Sequence, residues 1–146
     1  MQTPALARQV GGNHYKAMGI QPIEFATINR YDPGAFSVLK YVSRHERKAG
    51  REDLTKAVHF VELRLELLRN NPELQFAPPA LSVITVQEYA DANALSDMER
   101  VILEDLHVWA CRTNRVITDA VSARHIVTKI EYLSGLRYPE TPKTED

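Results

Sequence analysis

The stretch Asp32–Leu68, DPGAFSVLKYVSRHERKAGREDLTKAVHFVELRLELL, decides the fold, because it reads as two amphipathic helices turned back on each other at a glycine. Asp32 can cap a helix and Pro33 suits its first position, where a missing N–H costs nothing. The spacing predicts a helix to about Lys48, with Ala35, Val38, Leu39 and Val42 on its buried face. Gly50 stops it. A further helix starts near Glu52, and its stripe of Leu54, Ala57, Val58, Val61, Leu65 and Leu68 is long enough to pack along the first.

Working outward, Gln21-Pro22-Ile23-Glu24 opens a short helix predicted to end near Asn29. The same order returns downstream. An offset of 64 pairs Phe25 with Tyr89, Ala26 with Ala90, Asn29 with Asn93, Asp32 with Ser96 and Leu39 with Leu103. The offset becomes 68 at Arg44 and Arg112, then 66 at Asp53 with Asp119, Ala57 with Ala123 and His59 with His125. A period of this size implies one supersecondary unit used twice. Thr85 with Glu88 and Ser96 with Glu99 have capping-box spacing, Asp119 is placed to cap the last helix, and Gly135 to end it. A short strand over 82–86 is the lesser alternative, since Val83, Ile84, Thr85 and Val86 favour extended chain.

The expectation is an all-α single domain over 1–146 of two imperfectly repeated units, each a short helix plus an antiparallel helix pair. The first unit covers 10–70, a Pro-rich connector 71–81, a degenerate second unit 82–137 and a loose tail 138–146. Hairpins of this kind hide their apolar faces against each other or in a homo-oligomer. With 146 residues, 44% of them hydrophobic, the chain has the size of one globular domain. Its lone Cys111 fits a reducing compartment, and no run approaches the roughly 18 apolar residues a membrane span needs, so a cytoplasmic protein without membrane contact is expected.

The net charge is −1, which argues against nucleic-acid binding through a broad basic surface. Yet Lys40–Lys56 holds six basic and three acidic residues, so anion attraction is local and confined to the first unit. Phe36, Lys40, Arg44 and Arg47 fall within about 80° of one another on the helix, and Arg51 lies just past the turn. Planar donors so grouped suit phosphate oxygens, although a solvated helix end would also favour positive charge. Gly11-Gly12-Asn13-His14-Tyr15-Lys16 is a second candidate, in which backbone N–H groups and polar side chains can meet a ligand, or simply a turn. Lys56 and His59 share a helix face near Asp53, and Asp53 can orient Lys56 or a basic group across the hairpin. His107, His125 and Trp109 read as structural. No phosphate-binding G-x-x-x-x-G-K-S/T sequence is present, and no zinc or calcium spacing is found, so no metal site is expected.

Gly12-Asn13-His14-Tyr15, Ile23-Glu24, Leu39-Lys40-Tyr41-Val42-Ser43-Arg44-His45, Arg47-Lys48 and Glu52-Asp53-Leu54 with Lys56-Ala57 occur in that order. Over about residues 10–66 the chain resembles a small phage protein family of formerly unknown function that includes a phage deoxynucleoside monophosphate kinase. The resemblance implies an all-helical, oligomeric protein of nucleotide metabolism in an infected bacterial cytoplasm. His14, Tyr15, Lys40, Arg44, Lys48, Asp53 and Lys56 are the residues it carries over. One departure stands out: the family often has Gly-Asn where this chain has Phe36-Ser37, which exchanges an amide for a ring on which a base can stack.

The expected function is therefore nucleotide binding with phosphoryl transfer to a deoxynucleoside monophosphate, a nucleoside triphosphate being the donor and the need for magnesium left open. Gly12, Asn13, His14, Tyr15, Lys16, Lys40, Arg44, Lys48, Arg51 and Lys56 are the phosphate-binding candidates, Phe36 the stacking residue, and Asp53 and His59 the catalytic pair. No tightly bound cofactor is expected. A non-catalytic nucleotide-sequestering protein is the alternative. An all-α pyrophosphohydrolase is disfavoured, since Glu99, Glu104 and Asp105 lack the paired spacing that holds magnesium.

Overall fold

The computed structural model of the chain describes residues 4–12, 14–15, 17–112 and 117–140. Among these, six α-helices and no strand occur: α1 (Pro22–Ile28), α2 (Pro33–Arg44), α3 (Arg51–Asn70), α4 (Val86–Ala92), α5 (Asp97–Cys111) and α6 (Asp119–Arg137). The fold is all-α. No helix is long and apolar enough to cross a membrane among the described residues.

The four long helices close a ring in which α2 packs on α3, α3 on α6, α6 on α5 and α5 on α2, while α1 leans on α2 and α4 on α5. Inside the ring lie Val38, Leu39 and Val42 of α2, Leu54, Ala57 and Val61 of α3, Ile102, Leu103 and Leu106 of α5, and Ile126, Ile130 and Leu133 of α6, all at most 1% exposed. Burying side chains of this size contributes roughly 1.5–3 kcal/mol each, which is what holds short amphipathic helices in place.

Local signals explain the element starts. Asp32 Oδ1 accepts from Ala35 N at 2.9 Å, Thr85 Oγ1 from Glu88 N at 3.1 Å and Ser96 Oγ from Glu99 N at 3.3 Å. Three boundaries differ from expectation. α2 ends at Arg44, and a 3-10 turn spans His45–Arg47, because the chain tightens there before Gly50, which sits at φ +57° in the left-handed region. The cap of α6 is Thr118 instead of Asp119, whose carboxylate accepts from Trp109 Nε1 at 2.8 Å. Gly135 does not end α6, which runs to Arg137. The segment 82–86 leads into α4 without forming a strand.

Both short helices end alike. Arg30 and Ala94 sit at φ +59° and +51°, and the next residues close six-residue loops, Tyr31 N to Ala26 O at 2.9 Å and Leu95 N to Ala90 O at 3.0 Å. Ahead of each lies a buried asparagine that clasps the lead-in to the other short helix. Asn29 donates to Ile84 O at 2.8 Å and accepts from Val83 N and Ile84 N at 2.9 and 2.8 Å. Asn93 donates to Ile20 O at 2.9 Å and accepts from Ile20 N at 3.2 Å.

Candidate functional site

The turn between α2 and α3 and the glycine loop near residue 12 meet at one place. Gly11 and Gly12 sit at φ +81° and +120°, conformations that favour glycine, and a Cβ on Gly12 would lie 3.4 Å from His14 Nδ1. Gln9 braces the loop. Its Oε1 accepts from Tyr15 N at 2.8 Å, which turns its amide nitrogen toward His14 Nδ1 at 3.0 Å. The same amide nitrogen lies 3.4 Å from His14 Nε2, so Gln9 holds the imidazole by its nitrogen-bearing edge.

Arg44, at the last position of α2, points inward and is 7% exposed. It donates from Nε to Asp53 Oδ2 at 3.2 Å and from Nη2 to Asp53 Oδ1 at 3.3 Å, while Nη1 donates to the Tyr15 hydroxyl oxygen at 2.7 Å. Asp53 is fully buried in the first turn of α3, where negative charge is favoured. Burial pushes the Tyr15 phenol up, and the opposing hydrogen bond from Arg44 does not cancel it, so Tyr15 keeps its proton at neutral pH. With its oxygen taken by Arg44, that proton remains available to an anion.

Beside this chain of donors stands an aromatic platform. Tyr41 stacks on Phe60 with ring centroids 5.7 Å apart, and Lys40 Nζ, the Arg44 guanidinium and Lys56 Nζ lie 4.6, 4.8 and 5.7 Å from the Tyr41 centroid. Asp53 neutralises Arg44 and Glu52 pairs with Lys56 at 3.3 Å, whereas Lys40 and Lys48 have no acidic partner among the described residues. The site is cationic because these two charges are uncompensated.

Of the sequence candidates, Gly12, His14, Tyr15, Lys40, Arg44, Lys48, Asp53 and Lys56 gather here, and Phe36 borders it, its ring 5.6 Å from Lys40 Nζ. Asn13 and Lys16 lie outside the described residues. Arg51 turns away, donating to the Tyr138 carbonyl and lying 3.8 Å from Glu140. His59 is exposed, edge-on to Phe60, with no contact to Asp53 or Arg44 among the described residues. Asp53 orients Arg44 across the hairpin, and Lys56 takes Glu52 instead.

Sequence reasoning missed a second buried cluster behind the turn. His45 Nε2 lies 3.3 Å from Glu99 Oε1 and its Nδ1 lies 2.8 Å from the Tyr138 hydroxyl. Glu99 was expected to reach back to its cap, but its side chain is buried against His45. A carboxylate at the apolar register of α5, one turn before Leu103, was the available signal.

Burial lowers the His14 pKa, and the positive charges of Lys48 and Arg44 lower it further against a smaller opposing effect of Asp53. A bound anion would raise it, so anion binding takes up a proton and strengthens as pH falls toward the free value below 6.5. Sulfate, whose charge stays fixed, should bind more tightly at pH 5.5 than at pH 8 by calorimetry. His14→Asn should flatten that dependence.

Residues 10–62 match a family model, DUF3310, described as a protein of unknown function. The match covers just over a third of the chain and the loop, turn and platform residues named above except Gln9 and the tail contacts. No curated protein and no solved structure matches.

Proposed function

We propose that this protein binds a nucleotide by its phosphates at the loop and hairpin turn and transfers a phosphoryl group from a nucleoside triphosphate to a deoxynucleoside monophosphate without a P-loop. The observation that carries this reading is the convergence of Lys40, Lys48, the Tyr15 hydroxyl and His14 around a pair, Arg44 and Asp53, that fixes their positions. On this reading Lys40 and Lys48 hold phosphate oxygens, and the Tyr15 hydroxyl and the His14 imidazole donate to them. Arg44 and Asp53 are positioning residues. Phosphoryl transfer asks little covalent chemistry of a protein, since an acceptor oxygen attacks the terminal phosphorus as its bond to the bridging oxygen breaks. Placement and positive charge suffice. The resemblance to a phage family that includes such a kinase supports the acceptor class and a setting in the cytoplasm of an infected bacterium.

The purified protein, given radiolabelled ATP, magnesium and each deoxynucleoside monophosphate in turn, should form a labelled diphosphate with at least one of them. Absence of product with every acceptor at high protein concentration would reject catalysis. Lys40→Ala and Lys48→Ala should each weaken nucleotide binding by about tenfold or more, since a charge-assisted contact is worth roughly 1.5–3 kcal/mol. Unchanged affinity in both would place the phosphates elsewhere.

One observation favours the second reading, a binder that sequesters nucleotide without turnover. Asp53 is buried and committed to Arg44, and Glu52 pairs with Lys56, so neither carboxylate of the cluster is free to hold a magnesium ion beside the phosphates. Tight binding without product would decide for it. Self-association is part of the same reading, resting on exposed Val101, Tyr132 and Leu136 along α5 and α6, and light scattering reports it directly.

A further inference from the structure

We propose that a cavity at the opposite end of the α2–α3 hairpin seats the nucleoside of the same ligand, so that one groove holds the ring at one end and the phosphates at the other. This inference rests on the functional reading above. The cavity measures about 430 Å³ and is lined mainly by apolar side chains, among them Phe60, Leu63 and Leu67 of α3, facing Pro33, Gly34 and Ser37 of α2. Its size and its few polar groups fit a site for a small organic molecule.

Helical register joins the cavity to the cationic cluster. Ser37, Tyr41 and Arg44 recur at steps of four and three residues on one face of α2, and Arg64, Phe60, Lys56 and Asp53 do the same on α3. Ser37 and Phe60 line the cavity, Phe60 stacks on Tyr41, and Tyr41 carries Lys40, Arg44 and Lys56 around its ring. About 10 Å of helix rise separates Ser37 from Arg44. That is the scale of the step from a base to its phosphate chain.

The buried polar pair of the cavity, Arg64 and Asp32, suits a base edge better than a phosphate. Arg64 is 3% exposed and its charge is already matched, Nη2 donating to Asp32 Oδ2 at 2.9 Å and Nε to the same carboxylate at 3.0 Å. Its Nη1 has no acceptor among the described residues. Asp32 stays partly exposed at the cavity and can accept from a ring N–H or amino group. Apolar walls, the Arg64 Nη1 donor and the Asp32 carboxylate suit a flat heterocycle; Arg30 and Arg112 stand at the rim, Arg112 donating to Ala77 O at 3.2 Å, and Lys40 and Lys48 lie at the other end.

Calorimetry on the full chain with each of the four deoxynucleoside triphosphates and with inorganic tripolyphosphate tests the assignment. Ser37→Phe, on the α2 side, and Leu63→Phe, on the α3 side, should each lower affinity for the preferred nucleotide at least tenfold, toward that of tripolyphosphate, and leave tripolyphosphate affinity unchanged. Arg64 stacks over Trp109 at 4.3 Å, the single tryptophan of the chain. Nucleotide should therefore shift wild-type tryptophan emission, and tripolyphosphate should not. If either variant, with a wild-type melting curve, binds nucleotide as tightly as wild type, the ring lies elsewhere and the functional reading survives alone. If tripolyphosphate loses affinity in step with nucleotide, phosphate enters the cavity and the assignment is overturned. If wild type binds neither probe, the functional reading fails and the cavity assignment with it.

Discussion

Asp53→Ala should destabilise the fold by about 3–5 kcal/mol, the range found when one partner of a buried ion pair is removed. The size follows from what stays behind. Arg44 is 7% exposed and keeps only the Tyr15 oxygen as an acceptor, so a guanidinium with little access to water loses its carboxylate. The backbone N–H of Ala49, which points at Asp53 Oδ2 from 3.4 Å, is stranded with it. Urea unfolding followed by circular dichroism measures the loss. Joint replacement, Arg44→Met with Asp53→Leu, should cost less than Asp53→Ala alone, because no charge is left unpaired. A loss under about 1 kcal/mol for Asp53→Ala would show that the guanidinium finds another partner and that the pair does not fix the turn.

Asn29→Ala ranks next, at about 2–4 kcal/mol, since each donor or acceptor left without a partner costs roughly 1–3 kcal/mol. Asn29 is fully buried, and its amide serves three backbone groups at Val83 and Ile84. Its own carbonyl also accepts from Leu81 N at 2.7 Å, a bond alanine would keep. The loss should therefore loosen the lead-in to α4 more than α1 itself, and amide exchange should speed up first at 83 and 84. Asn93→Ala should cost less, having two such bonds, one of them at 3.2 Å. Equal costs would mean that bond number does not govern these clasps.

Much of this was legible in the chain. Prolines at first helical positions, Ser or Thr caps and apolar periodicity mark local, short-range preferences, and the six helices fall where those marks stand. Lys40 and Arg44 were likewise visible in a stripe with Phe36 and Arg47, although the ring that gathers them is Tyr41, which that stripe left out. What escaped was anything set by partners without a helical interval. Asp53 was expected to orient Lys56 or some basic group across the hairpin, but that the group is Arg44, nine residues back and drawn inward to 7% exposure, is set by the turn and not by spacing. Arg64 was passed over although it stands in the buried register of Ala57 and Val61, and a cation in an apolar stripe signals a buried partner, here Asp32. Glu99 matched a local cap pattern, but His45, 54 residues away, took its carboxylate. The destination of Arg51 was decided by the tail, at Tyr138 and Glu140, which the periodicity of α3 does not contain.

The mutual grip of the two asparagines gives the molecule the logic of a dimer whose subunits share one polypeptide. Each half supplies the hook for the other, so neither is expected to hold its lead-in segment when expressed alone. Only the first half bears Lys40 and Lys48, so on the proposed reading the tied pair should saturate at a single equivalent of nucleotide per chain, with a hyperbolic isotherm where two matched halves would have offered two seats.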